Sequence, residues 1–67
     1  MDVRRRLAKN MKRLRDQEGW SQEELAERSG LHRTYISGVE RGGRNPTLTV
    51  IDKIANALKV RIAELVD

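Results

Sequence analysis

Gly30 divides the stretch 21–42 (SQEELAERSGLHRTYISGVERG) into two parts, and this division limits the fold more than any other feature of the chain. Apolar residues recur at helical spacing on both sides of the glycine, which itself favours the left-handed conformation of a sharp turn. The inward-facing positions are expected to be Leu25, Ala26, Ile36 and Val39. The stretch therefore predicts two short helices joined by a tight turn, with Leu31 filling the corner between them.

The first of these two helices opens with a dense set of start signals. Ser21 is the expected N-cap, Glu24 is expected to close a capping box with it, and Trp20 is expected to pack onto Leu25. We predict a helix over 22–29. Because acidic residues in a first turn suit the helix dipole, we assign these carboxylates a structural role rather than a catalytic one.

The second helix is predicted to begin near His32 or Arg33 and to run to about Arg41, where Gly42 and Gly43 end it. Glycines that end a helix do not form the phosphate-binding loop that precedes one. The chain has one His and no Cys, and a lone imidazole cannot build a metal site. We therefore predict no metal and no cofactor.

Four apolar residues near the N-terminus follow helical spacing and predict helix one, which Gly19 is expected to end. They are Val3, Leu7, Met11 and Leu14. A basic amphipathic helix of this kind could instead lie on a membrane surface. Its apolar face is narrow and aliphatic, which favours packing inside a protein core.

The C-terminal third predicts two more helices. Thr47 is expected to cap helix four, and its inner stripe is then expected to contain Leu48, Ile51, Ile54, Ala55 and Leu58. Lys59 follows this stripe where a glycine would stop the helix more sharply. The short last helix follows Arg61, a residue that makes a poor N-cap.

Positive charge is unevenly distributed along a chain whose net charge is +4. Residues 1–15 carry +6, residues 16–27 carry −5, residues 28–44 carry +3, and residues 45–67 are balanced. This asymmetry favours a polyanionic partner. The alternative is a solvated basic face, which is common on small helices.

The length of 67 residues predicts one domain, over 1–67. The chain has no Cys for disulfides, so oligomerisation is the remaining common source of added stability. No apolar run approaches the roughly 20 residues of a membrane span, and charged residues follow Met1 directly. We expect a cytoplasmic protein without a membrane partner. The sequence also contains no nucleophile–base constellation, so we predict neither an enzyme nor a small-molecule substrate.

Eight residues of the stretch 21–42 resemble the pattern of a known family. They are Gln22, Leu25, Ala26, Gly30, Leu31, Ile36, Val39 and Glu40. Their spacing resembles the Cro/C1-type helix-turn-helix, or lambda-repressor-like, proteins over nearly the whole chain. The resemblance implies an all-α, compact five-helix domain, with the helix-turn-helix at about 21–41 and dimerisation helices at about 47–66. The run LHRTYISGVERGGRNPTL is similar to that of restriction–modification controller proteins.

In a helix-turn-helix the second helix enters the DNA major groove. The residues predicted to contact DNA are Gln22, Arg33, Thr34, Tyr35, Ser37, Gly38, Arg41, Arg44 and Asn45. Arg33 is expected to donate two hydrogen bonds to guanine, the alternatives being a phosphate contact or an acidic partner. Gly38 suggests close approach to DNA. Tyr35 is expected either to touch phosphate or a thymine methyl, or to rest on Arg33 or Arg44.

Glu40 is an acidic residue on a helix that is expected to approach DNA. The family resemblance pairs this position with Arg15, at the end of helix one. We expect a partly buried ion pair that fixes helix three against helix one. The alternative is two independently solvated charges.

These features together predict a sequence-specific, dimeric DNA-binding transcriptional regulator. A two-fold dimer places two recognition helices about 34 Å apart on a pseudo-palindromic operator in double-stranded DNA. The predicted homodimer interface consists of Val60, Ile62, Leu65 and Val66. The resemblance implies a restriction–modification controller, and the alternatives are a phage- or plasmid-type repressor and a helix-turn-helix protein-interaction or antitoxin module.

Overall fold

The computed structural model describes residues 2–67, which form five α-helices and no strand. The helices are α1 (Val3–Glu18), α2 (Gln22–Ser29), α3 (Arg33–Glu40), α4 (Leu48–Leu58) and α5 (Ile62–Val66). The predicted all-α, five-helix fold is confirmed. Among these residues no helix is both long and apolar enough to cross a membrane.

Every helix contributes to one hydrophobic core. Its largest fully buried side chains are Met11, Leu25, Ile36, Val39, Ile54 and Leu65. Helix α1 packs against α3 and α5, while α2 packs against α3 and α4. The short α2 and α3 are therefore held by tertiary packing, since isolated helices of eight residues are unstable in water.

The turn between α2 and α3 has the geometry that its glycine predicts. Gly30 adopts a left-handed conformation with φ +74°, and the Leu31 N–H donates to the Ala26 carbonyl at 3.0 Å. Lys59 takes the same left-handed conformation at the end of α4, with φ +58°. Helix α4 therefore ends sharply without a glycine, although a non-glycine residue in this conformation is strained by roughly 1 kcal/mol or more.

The start of α2 differs from the prediction in one respect. The Ser21 hydroxyl accepts from the Glu24 N–H at 3.1 Å, as an N-cap does. The carboxylate of Glu24, however, does not turn back to close a capping box; it accepts from Arg28 Nε at 2.7 Å. An i,i+4 cation one turn ahead competes for the same carboxylate.

Helix α4 begins as predicted but exposes one residue assigned to its inner stripe. The Thr47 hydroxyl caps it by accepting from the Val50 N–H at 3.3 Å. The side chain of Leu48 is 68% exposed, so its assignment to the inner stripe was wrong. Leu48 is the first residue of α4, and the side chains of this helix that are buried lie further along it, at Ile54, Ala55 and Leu58.

Helix α5 forms despite its weak cap because its backbone finds partners elsewhere. The Glu64 carboxylate accepts from the Arg61 N–H at 2.8 Å. Asn10 of α1 donates to the Leu65 carbonyl at 2.9 Å, and Arg6 donates to the Val66 carbonyl at 3.0 Å. The side chain of Leu65 is fully buried in the core, so its assignment to a dimer interface was wrong.

Candidate nucleic-acid interface

An ion pair between Arg15 and Glu40 fixes the orientation of α3 against α1. Arg15 donates through Nε to Glu40 Oε2 at 2.8 Å and through Nη2 to Glu40 Oε1 at 3.0 Å. Its Nη1 donates to the Trp20 carbonyl at 2.7 Å. One guanidinium therefore holds α3 and the chain that leads into α2, through a bidentate geometry that favours a single orientation.

The pair is nearly buried, so it does not behave as two solvated charges. The exposed fractions of the two side chains are 10% for Arg15 and 5% for Glu40. Hydrogen bonds to Glu40 raise the pKa of Arg15 above its usual value. No buried side-chain nitrogen or oxygen within residues 2–67 is left without a hydrogen-bond partner. The acidic residue on α3 is thus neutralised inside the protein.

Gln22, the first residue of α2, belongs to this network. Its Nε2 donates to Glu40 Oε1 at 3.1 Å, and its side chain is half-buried. An amide nitrogen carries two N–H donors, so this bond orients Gln22 while committing one of them. The predicted contact between Gln22 and a DNA phosphate stays a prediction.

The outward side of α3 carries polar and basic side chains, as the sequence pattern predicts. We call Arg33, Thr34, Ser37 and Arg41 the recognition stripe; at 100° per residue they lie within one arc of the helix. Arg33, Thr34 and Arg41 are exposed, and Ser37 is half-buried. Arg41 donates from Nη1 to the Ser37 hydroxyl at 2.9 Å. Arg33 forms no ion pair within residues 2–67.

The N-terminus of α3 is capped by His32. Its Nδ1 accepts from the Thr34 N–H at 3.3 Å, a bond that an unprotonated ring nitrogen can make. The cap satisfies one of the free N–H groups that begin the helix. It therefore fixes the turn that presents Arg33.

Arg44 packs back onto α3 from the loop that follows it. Its guanidinium carbon lies 5.0 Å from the centre of the Tyr35 ring, a cation–π arrangement. The shaft of the same side chain passes over Gly38, which is buried. Arg44 therefore occupies the space over Gly38 in the free protein, and the predicted contact between Gly38 and DNA stays a prediction. Tyr35 lies against Arg44, as one of its two alternatives expects, and its contact with DNA also stays a prediction.

The loop between α3 and α4 is exposed around the remaining predicted contacts. Arg44 and Asn45 are both exposed, and they lie two and three residues after Gly42, which ends α3 with φ +75°. The Gly43 N–H donates to the Gly38 carbonyl at 3.0 Å, so the loop starts close to the helix. Arg44 therefore lies beside α3, and the predicted contacts of Arg44 and Asn45 with DNA stay predictions.

Two features of this half of the molecule were not predicted. The guanidinium of Arg28 lies 4.3 Å from the centre of the Trp20 ring while Arg28 also pairs with Glu24. The i,i+4 spacing of Glu24 and Arg28 could have indicated the ion pair. The contact between Arg28 and Trp20 depends on the path of the chain into α2, and this path cannot be predicted from the spacing of residues along the helix.

Comparison with known proteins agrees with this geometry. The family described as Helix-turn-helix matches residues 11–65. The control protein C.SmaI of Serratia marcescens is 48% identical over 65 residues, covering 97% of this chain and 77% of that protein. The crystal structure of a hypothetical transcription factor from Neisseria superposes with a TM-score of 0.96 at 50% identity, covering 98% of this chain and 76% of that one.

A second similar structure was solved with DNA. It is the restriction–modification controller protein C.Esp1396I, crystallised as a tetramer in complex with its natural 35 base-pair operator. It superposes with a TM-score of 0.86 at 33% identity, covering 100% of this chain and 99% of that one. The family match spans well over half of the chain. The protein belongs to the Cro/C1-type helix-turn-helix family.

Proposed function

We propose that this protein is a sequence-specific DNA-binding transcriptional regulator that controls a restriction–modification operon. The observation that carries the proposal is the recognition stripe on α3, whose arginines have no carboxylate partner within residues 2–67. The carboxylate on the same helix, Glu40, is buried against Arg15. The exposed side of α3 is therefore electropositive and rich in donors, as base edges and phosphates require.

In this proposal Arg33 reads base edges and Arg41 contacts phosphate. Arg33 is the first residue of α3, the end of a recognition helix that meets the bases. Arg41, one turn beyond Ser37, lies toward the end of the helix, where the DNA backbone passes. Gln22 and Asn45 flank the stripe and contact phosphates on either side of it.

The protein acts as a homodimer through α4 and α5. Val60, Ile62 and Val66 are only half-buried in one protomer, and the exposed Leu48 adds to the same C-terminal half. Residues 45–67 carry no net charge, so two copies do not repel each other there. A dimer places two copies of α3 about 34 Å apart, which matches one turn of DNA. It also adds buried surface to a domain too small to be very stable alone.

The relatives support the regulatory role. C.SmaI is a control protein, and C.Esp1396I assembles as a tetramer on its operator. We extend to this chain the same class of partner, a pseudo-palindromic operator in double-stranded DNA, and a cytoplasmic location where such DNA is found. The proposed activity is binding, without catalysis.

A selection from randomised duplexes tests the proposal. The full chain is incubated with the pool at low salt, and the bound duplexes are sequenced and then titrated across a salt series. We expect two inverted half-sites about one helical turn apart, with affinity that falls steeply as salt rises. An asymmetric single site would contradict the dimer. No binding at low salt would instead favour a protein-interaction or antitoxin module.

A surface substitution tests the dimer separately. Leu48→Glu places a charge at an apolar residue that is 68% exposed in the protomer. We expect sedimentation equilibrium to show monomers at concentrations where the unmodified chain is dimeric. Val3→Glu is the matched control, since within residues 2–67 Val3 is the other exposed large apolar residue, at 47%, but lies on α1. Equal dissociation of both variants, or of neither, would remove α4 from the interface.

A further inference from the structure

Gly38 stands in the middle of α3, where glycine is unfavourable for a helix. Its φ is not positive, so the backbone conformation does not require glycine. An alanine would adopt the same conformation with less loss of chain entropy. The requirement for glycine must therefore come from the space around Gly38.

That space is filled by the side chain of Arg44. A Cβ built on Gly38 would lie 2.8 Å from Arg44 Nε, 3.0 Å from its Cγ and 3.1 Å from its Cδ. These three atoms span the shaft of the side chain, so the shaft lies flat on the backbone of α3. The 2.8 Å distance is shorter than a Cβ contact can be and the other two are tight, so an added methyl group would displace the Arg44 side chain. Because Arg44 is exposed, it can move without disturbing the core.

Two further contacts hold Arg44 and its loop at this position. Beyond the shaft, the Arg44 guanidinium lies over the Tyr35 ring at 5.0 Å. The backbone of the loop is held to the same place, because the Gly43 N–H donates to the Gly38 carbonyl at 3.0 Å. The Gly38 carbonyl thus holds the loop, and the lack of a Cβ on Gly38 leaves space for the Arg44 side chain.

We propose that Gly38 is a positioning residue for DNA recognition, and that with Tyr35 it forms a seat that orders Arg44 beside the recognition stripe. This inference rests on the proposed DNA-binding function. An arginine ordered before binding loses less conformational freedom when it contacts DNA. The seat therefore joins Arg44, from a loop, and Arg33, from a helix, into one surface.

A double-mutant cycle tests the seat on DNA. Gly38→Ala, Arg44→Ala and the double variant are titrated against the selected operator by fluorescence anisotropy. We expect Gly38→Ala to weaken binding about tenfold in the presence of Arg44, because the arginine loses its ordered position. In the Arg44→Ala background the same substitution should change affinity less than about twofold, since there is no side chain left to displace. Equal losses in both backgrounds would show that DNA meets Gly38 itself and would overturn the proposal.

Gly43→Ala is the matched control. A Cβ on Gly43 would lie 3.7 Å from the Gly38 carbonyl oxygen, an ordinary contact, and the φ of Gly43 is not positive. Alanine at this position keeps the N–H that donates to the Gly38 carbonyl, and it introduces the same methyl group five residues away, outside α3. We expect affinity within about twofold of the unmodified chain. A tenfold loss would mean that any added methyl group in this segment disturbs binding, and would overturn the specific role of Gly38.

A measurement without DNA separates this inference from the proposed function. Proton NMR of the free protein follows the Tyr35 ring, which the nearby guanidinium perturbs. Gly38→Ala and Arg44→Ala should shift the ring signals in the same direction, whereas Gly43→Ala should leave them in place. Unchanged Tyr35 signals in Gly38→Ala would overturn the seat even if DNA binding is intact. Shifted signals in a chain that binds no duplex would support the seat and overturn the DNA-binding role of both Gly38 and the stripe.

Discussion

Arg15 and Arg33 are arginines on helices that pack against each other, yet their environments are opposite. Arg15 is 10% exposed and donates to Glu40 and to the Trp20 carbonyl. Arg33 is exposed and has no ion-pair partner within residues 2–67. The guanidinium of Arg15 donates to partners inside the protein, whereas the guanidinium of Arg33 is open to solvent.

Under the proposed function, arginine serves structure at one of these positions and DNA recognition at the other. A buried arginine must be paired, because an isolated charge is strongly unfavourable in the interior. An exposed arginine carries little penalty when unpaired, because water solvates it. Perturbing the buried pair should therefore change folding stability, while perturbing the exposed stripe should change affinity at constant stability.

The largest expected effect comes from breaking the buried pair. Glu40→Ala leaves the Arg15 guanidinium nearly buried without its carboxylate and removes the acceptor of Gln22. We expect the free energy of unfolding to fall by about 3 kcal/mol or more. Urea unfolding followed by circular dichroism measures it, and Glu40→Gln, which keeps the shape and one acceptor oxygen, should lose less.

Lys12→Ala is the control for this prediction. Lys12 pairs with Asp16 at 3.1 Å, but the side chains are 60% and 55% exposed. An exposed i,i+4 pair contributes only about 0.3–0.5 kcal/mol, and salt weakens it. If Glu40→Ala changes stability no more than Lys12→Ala at both low and high salt, the Arg15–Glu40 pair does not fix α3.

The next effect is on base recognition at the exposed arginine. Arg33→Ala should weaken operator binding by about 1–3 kcal/mol per half-site, because alanine cannot donate the two hydrogen bonds to guanine. Stability should stay within about 0.5 kcal/mol, since the Arg33 side chain is exposed and forms no ion pair within residues 2–67. Anisotropy titrations against operators with each base at one position would show the preference relaxing at that position alone.

Arg33→Lys sharpens the same prediction. Lysine keeps the charge but lacks the planar fork of guanidinium, so it cannot donate in the same bidentate way. It should retain affinity for random duplex while losing preference at the base that Arg33 reads. A uniform loss across all four bases in both variants would place Arg33 on phosphate instead.

The sequence was sufficient for the helices because their boundaries have local causes. Ser21, Gly30 and Thr47 each start or stop a helix through bonds to neighbours a few residues away, and the structure shows those bonds. Residues whose surroundings come from distant segments were assigned less well. Leu48 and Leu65 share the apolar character of the core, but the way the helices pack leaves the first exposed and buries the second.

The candidate site divides in the same way. Helical periodicity identified the outward residues of α3, because it depends only on position along one helix. It could not identify why Gly38 lacks a side chain, since the cause is Arg44 in the following loop. The pairing of Arg15 with Glu40 joins residues 25 positions apart, and it was expected from family resemblance rather than from spacing.

The smallest expected effect separates phosphate contact from base contact within the stripe. Arg41 is exposed and its guanidinium donates to the Ser37 hydroxyl at 2.9 Å, so its charge is held against the helix surface. Arg41→Ala should weaken all duplexes alike and lower the slope of log affinity against log salt by about 0.9 for each phosphate that the protein no longer neutralises. Between 50 and 200 mM salt this corresponds to roughly a threefold difference per protomer.

Arg41→Lys completes the test because it keeps the charge while changing the hydrogen-bond geometry. Its salt slope should match that of the unmodified chain, and its base preferences should be unchanged, in contrast to Arg33→Lys. The two arginines lie on the same outward arc of α3, so a difference between them cannot come from exposure or from net charge. A change in base preference at one position in Arg41→Lys would extend direct readout from the first turn of α3 to Arg41, the residue that follows the helix.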